Sequence, residues 1–492
     1  MKRNNLTTAV VAGIAGVAGF AGLANAVDLN PDGLGQVLIY PYYTVNKSQD
    51  TQISVVNTTD VGKAVKVRFL EGYNSREVLD FNLYLSPQDV WTARISQVSD
   101  EGGAKVVTGD ASCVYPSSDS QGNDIRVNGI PFRASAYAGG SVFPKDGGPT
   151  DVTRTREGYV ELIEMGEIIP GSALDNATVH IQGSGPNTGV PKCTQSAIGN
   201  SAGANLSAPN GGLFGAGSIV NVGEGTFFGY NADAVDGFST SVLFSASSGL
   251  QPSLQQANTA TSAFPGGAIA YVFSNGQLLT LDYADAIDAV SAVFASDAIY
   301  NEYVAAAGLG GATDWVVTFP TKRFYVDPYY TSGTGAIPPF SEEFGESIDG
   351  QSNVEVGINL YDQEEGTISQ PDDFSPPSVG HPSSLPYEVN VISFLTNTEA
   401  GDPSGVFGST LRSNIPPYGD FGWLHLDLAS GDGGHAMRPA ANGDVLHGLP
   451  ATGFEGYNII NANAAPGKLA NYGGLFRHRA SRACTLNGGA CS

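Results

Sequence analysis

Between Gln36 and Ile95 the chain alternates apolar and polar residues, run after run, and no other feature limits its fold as much. The runs read QVLIYPYYTV, QISVVN, AVKVRF, EVLDFNLYL and DVWTARI, with polar turns between them. Val65, Val67 and Phe69 alternate with Lys66 and Arg68, while Leu79, Phe81 and Leu83 alternate with Asp80, Asn82 and Tyr84. Side chains on a strand point to opposite faces in turn, so each run predicts one oily face and one wet face. Several such strands at short spacing predict one half of an antiparallel sandwich.

Further strands are expected at GYVELI (158–163), SIVNV (218–222), TFFGY (226–230), IAYVF (269–273), LLTL (278–281), WVVTF (315–319), VEVGINLY (354–361), EVNVISF (388–394) and GWLHLDL (422–428). Ile287, Val290 and Phe294, then Ile299, Tyr300, Tyr303 and Val304, recur at helical spacing and predict a short helical insertion over about 284–307. Gly numbers 64 and charged residues make up 14%, against roughly 25% charged in an average soluble protein. That balance suits many tight turns and excludes a charged disordered chain. The expected fold is mostly β, with two antiparallel β-sandwich domains, immunoglobulin-like or jelly-roll-like. A β-sandwich with long loops spans 27–205, a second β-rich domain with the helical insertion spans 206–480, and a disulfide-closed tail spans 481–492. Pro41-Tyr-Tyr-Thr44 recurs as Pro328-Tyr-Tyr-Thr331, an echo that a duplicated sandwich half would explain.

Lys2 and Arg3 precede an apolar run from Ala9 to Leu23 that ends in Ala24-Asn25-Ala26, the parts of a secretory signal peptide over residues 1–26. No second apolar run is long enough to span a bilayer, so no transmembrane span is expected in the mature chain. Four cysteines in an exported chain suggest disulfides. Of three pairings, proximity favours Cys113 with Cys193 and Cys484 with Cys491. The formal net charge of −25 repels nucleic acid and excludes it as a partner.

VLIYPYYTV (37–45), VKVRFLEGYNSREVLDFNLYLSPQDVW (65–91), DWVVTFPTKRFYV (314–326) and NYGGLFRHRASRAC (471–484) together resemble a group of uncharacterised secreted cell-surface proteins of Gram-negative bacteria. The resemblance implies secretion and residence at the cell surface, on the outer membrane or in the periplasm. It carries no catalytic residues.

The chain has no G-x-S-x-G elbow, no HExxH and no Cys/His metal cluster, so these motifs give no hydrolase or zinc site. Asp28, Asn30 and Asp32, followed by Gly33, match the opening of a calcium loop. The twelfth position is Ile39 rather than a bidentate acid, so the plainer expectation is an Asx/Pro turn, and no cofactor is expected beyond this Ca²⁺ candidate. Trp423, His425 and Asp427 share one face of their strand, with Leu424, Leu426 and Leu428 on the other, and the exposed set suits a sugar or a cation. Tyr42, Tyr43, Tyr329 and Tyr330 suit sugar stacking or protein contacts if exposed, and core closure if buried. These readings predict a non-catalytic exported cell-surface protein acting in adhesion or surface assembly. Its partners would be cell-surface components, glycans or copies of itself. The alternative is an extracellular carbohydrate-binding or carbohydrate-active protein.

Overall fold

Each of the five opening runs forms a strand: Val37–Thr44, Asp50–Asn57, Lys63–Glu71, Glu77–Leu85 and Val90–Gln97. The computed structural model describes residues 26–140, 143–182, 185, 188–247, 249–345, 349–364, 366–369, 384–395, 402–430, 434–461, 464–486 and 489–490. The opening strands divide between two layers. Val37–Thr44, Lys63–Glu71 and Glu77–Leu85 join a ten-stranded sheet, in which Glu157–Ile168 lies between the first two. Asp50–Asn57 and Val90–Gln97 join a six-stranded sheet with Leu213–Asn221 and Thr226–Asn231. Pairing is antiparallel except where Val27–Leu29 runs parallel to Ala268–Ser274 and Val389–Ser393 parallel to Arg412–Asn414.

Apolar faces of the two sheets meet in the sandwich core. The Phe81 and Trp91 rings lie 5.8 Å apart, and the Tyr40 hydroxyl donates across to Ser54 O at 2.6 Å. Phe81 and Leu83 are buried there, with Leu79 partly buried against the same cluster.

The face expected to be wet is not. Lys66 is 0% exposed and Arg68 3%. A second layer covers them: the carbonyls of Ser247 and Pro252 accept from their cationic heads, and the short helix Arg323–Val326 brings Arg323 against the sheet. Lys63, Lys66, Arg68 and Arg323 each have a counter-charge. Glu161 accepts from Arg68 at 3.1 Å and from Arg323 at 2.9 Å, Lys63 pairs with Glu164 at 2.9 Å, and Lys66 pairs with Asp80. Buried charge persists only when paired in this way. Alternation fixes which side chains share a face; it does not say whether that face meets water.

Two five-stranded sheets follow. One orders Arg412–Asn414, Val389–Ser393, Gly311–Thr318, Thr452–Ile459 and Tyr472–Arg477. The other orders Thr367–Ser369, Gly357–Asp362, Phe421–Asp427, Ala298–Val304 and Arg479–Ser481. They pack through Trp315, Phe394 and Tyr303: Tyr303 stacks on Phe394 at 4.7 Å, and Trp315 Nε1 donates to Glu302 O at 3.0 Å. The Thr318 hydroxyl donates to Pro41 O at 2.6 Å, and the Tyr42 ring meets Phe407 at 5.6 Å, so one core runs continuously from Val27 to Cys484. The boundary expected near residue 205 falls at the turn Ala202–Asn205, and strands from both sides of it share the ten-stranded and six-stranded sheets.

A helix forms over Ala286–Phe294, but the expected helical stretch beyond it is the strand Ala298–Val304. There Ile299, Asn301 and Tyr303 turn inward at every second residue. Ile, Tyr and Val favour a pleated surface, and pairing on both sides outweighs a chance helical spacing. Arg482 donates to the carbonyls of Val293 and Ala295 at 3.0 Å each, placing a cation at the C-terminus of that helix.

The echo of Pro-Tyr-Tyr-Thr has no structural counterpart: residues 41–44 lie on a strand, and Pro328–Thr331 is a helical turn. Cys113 and Cys193 are bridged, with Cα atoms 5.3 Å apart. Cys491 and the expected leader, except Ala26, lie outside the described residues. No helix among the described residues is long and apolar enough to cross a membrane.

Candidate functional site

Phe421–Asp427 is the middle strand of its sheet and carries a Leu on every second residue. Leu424 and Leu426, and Leu428 just past the strand, are fully buried, which turns Trp423, His425 and Asp427 outward. The neighbouring strands complete an aromatic surface. Tyr361 lies directly opposite Trp423 on one side, and Tyr300 opposite His425 on the other. Directly opposed residues on adjacent strands are close enough for their rings to meet. Tyr361 stacks on Trp423 with centroids 4.2 Å apart and planes 11° apart, and Tyr300 stacks on His425 at 4.8 Å and 16°. The Tyr300 hydroxyl is 3.1 Å from Ser481 Oγ, which ties the surface to the edge strand.

Trp423 is 38% exposed and borders a cleft of about 470 Å³ with Tyr300, Glu302, Asp362, Gln363 and Arg479. An aromatic ring ringed by carboxylate, amide and guanidinium groups presents an apolar face beside hydrogen-bonding groups. Polyhydroxylated rings, with apolar C–H faces and polar edges, fit that combination.

Asp427 is not part of it. Its Oδ1 accepts from the N–H groups of Ala429 and Ser430 at 2.9 and 3.0 Å, so it closes the turn after the strand. The remaining candidates lie elsewhere. Tyr42 and Tyr43 are core residues, both 0% exposed; their hydroxyls donate to Glu157 Oε2 at 2.9 Å and Thr155 O at 3.2 Å. Their strand is central and covered on both faces, which leaves no side for a ligand. Tyr329 is 46% exposed and meets Phe143 at 4.6 Å, while Tyr330 packs against Phe324 at 4.8 Å. This pair is far along the chain from the Trp423 strand and does not line its cleft. Asn30 is a turn residue: its Oδ1 accepts from Asp32 N at 2.9 Å and its Nδ2 donates to Leu34 O at 2.7 Å. Asp28 faces Asp236 across a strand pair, and burial followed by that like charge pushes its carboxyl up to about 6.

Sequence reasoning missed Tyr361, Tyr300, Glu302, Asp362, Gln363 and Arg479. Tyr361 alternates with Leu360 on its own strand and was legible as an outward residue. Tyr300 was not, because its spacing to Val304 also fits a helix.

Behind the cleft, Glu455 is 1% exposed on Thr452–Ile459, and its Oε2 has no hydrogen-bond partner. Burial first, and the Glu302 charge second, push its carboxyl up to about 8. The unfolded chain releases that proton near pH 4.5 and the folded chain near 8, so this residue's stabilising contribution falls as pH rises between those values. Glu455→Gln is therefore expected to leave the melting temperature unchanged at pH 4.5. At pH 8.5 it is expected to raise it by roughly 2–4 °C, measured by differential scanning calorimetry. Equal shifts at both pH values would show that the carboxyl titrates normally.

No family model matches this chain, and no curated protein or solved structure matches it. The fold and the surface together define a mostly β, disulfide-bonded protein that presents an aromatic sheet face.

Proposed function

We propose that this is an exported, non-catalytic surface protein that holds a glycan at the Trp423 cleft and serves adhesion or surface assembly. The observation that carries the reading is the stack of Trp423 on Tyr361, half-open beside Glu302, Asp362, Gln363 and Arg479. The four side chains supply hydrogen-bonding groups around the indole, and the sheet beneath sets the spacing of Glu302, Asp362 and Arg479. Export is supported by the leader-like N-terminus and by the Cys113–Cys193 bridge, which is at home in an oxidising compartment. The resemblance to secreted proteins of Gram-negative bacteria supports the same location, at the cell surface or in the periplasm.

A second reading, a carbohydrate-active enzyme, is favoured by one observation: two carboxylates, Glu302 and Asp362, line the same cleft. A glycan array probed with the wild type and with Trp423→Ala tests the first. Loss of a central aromatic contact is expected to weaken the bound glycans by about 30-fold or more in a variant that circular dichroism shows to be folded. Equal binding by the variant would remove the cleft as the site. Product release from an array hit, abolished by Glu302→Gln, would replace the binding reading with the enzymatic one.

A further inference from the structure

A second cleft lies over the outer face of the six-stranded sheet, with a volume of about 1000 Å³. Its floor is four strands wide and, apart from the exposed Phe227, consists of short or polar side chains, with Tyr230, Phe454 and Leu475 also lining the cleft. Ser54 lies opposite Ala216 and Thr92, Gln52 opposite Ser218 and Arg94, and Asn231 opposite Ala216. The inward residues of these strands, such as Ile53, Val55, Trp91 and Ile219, fill the sandwich core, so alternation places the hydroxyls and amides together on the outside.

The charges around this floor reverse the balance of the chain. The sequence holds 48 acidic and 23 basic residues, yet the charged side chains lining the cleft are Arg94, Arg126, Arg477 and Asp233. Arg477 pairs with Asp233, which also accepts from the Thr452 hydroxyl. The other two guanidinium groups are not neutralised in this way. Arg94 is 53% exposed and its pairing with Asp50 is long, 3.7 Å. Arg126 donates to the neutral carbonyls of Ala111 and Ser112 at 2.8 and 2.7 Å.

We propose that this cleft binds an anionic oligosaccharide, with Arg94 and Arg126 taking its carboxylate or sulfate groups and the floor taking its hydroxyls. Guanidinium forks match the two oxygens of such groups and form strong charge-assisted hydrogen bonds. The floor is the face of a sheet and not its edge, so an extended peptide finds no ladder to join there. The site is separate from the Trp423 cleft and does not rest on the function proposed for it.

The test is binding of the full chain to heparin, polygalacturonate, dextran and poly-glutamate, measured at low and moderate salt. Binding of heparin or polygalacturonate, but not dextran, is expected, weakened at least about tenfold by Arg94→Ala with Arg126→Ala, with every protein carrying Trp423→Ala so that the other cleft does not contribute. Preference for heparin identifies sulfate as the recognised group, and preference for polygalacturonate identifies carboxylate; either supports the proposal. Arg94→Glu, at a side chain more than half exposed, is a second arm in which the fold stays intact and the same loss is expected. The proposal is overturned if neither anionic polysaccharide binds, if dextran binds equally well, or if the arginine variants bind as the wild type does. Tighter binding of poly-glutamate than of both polysaccharides would also overturn it, in favour of an acidic peptide.

Discussion

Glu161→Ala is expected to destabilise the protein by about 3–5 kcal/mol, read as a lower urea midpoint at unchanged slope. Glu161 is fully buried on Glu157–Ile168 and is shared by two cations from distant parts of the chain, Arg68 at 3.1 Å and Arg323 at 2.9 Å. Deleting the carboxylate leaves both guanidinium groups buried with one counter-charge fewer. Arg68 keeps Glu77 at 2.6 Å, whereas Arg323 keeps the Tyr159 hydroxyl at 3.0 Å, the Phe324 ring 4.5 Å away and the more distant charge of Glu388. Arg323→Ala is expected to cost less, because Glu161 would still hold Arg68. A loss under about 1 kcal/mol in Glu161→Ala would mean that water reaches this layer and screens the cluster.

The second large effect is on the Cys113–Cys193 bridge. It closes a loop of 80 residues, and the chain-entropy argument assigns such a loop about 4.5 kcal/mol of stabilisation. Cys113 sits on the edge strand Cys113–Tyr115, next to Tyr84, and Cys193 precedes the short helix Gln195–Ile198. Around them Ala64, Met165, Ile168, Leu174 and Ile198 form a small core of their own, apart from the main one. The double variant Cys113→Ser, Cys193→Ser is therefore expected to loosen the chain between about residues 171 and 205 first. Limited proteolysis should cut there at temperatures where the wild type resists. Uniform loss of protection across both sheets would show instead that the bridge holds the whole fold.

These two sites show where sequence reasoning stops. The strands bearing Arg68 and Glu161 were legible as strands, since period-two alternation is a local property. Their pairing was not: Glu161 is 93 residues from Arg68 and 162 from Arg323. The outward face of Trp423 was legible from the leucines between its neighbours, and the structure bears that out. The stack that makes it a candidate site needs Tyr361 and Tyr300, which arrive by sheet pairing. Tyr42 and Tyr43 show the reverse case, since an aromatic pair on a strand reads the same whether its faces are bare or covered.

By itself, the amino-acid order determined where most strands run and which side chains share a face. Each of these follows from backbone geometry over a few residues. Only the tertiary structure decided which faces water reaches, which cations meet carboxylates, and which rings stand side by side. Those outcomes depend on segments far apart in the chain that are brought together by burial, and no local pattern records the partner.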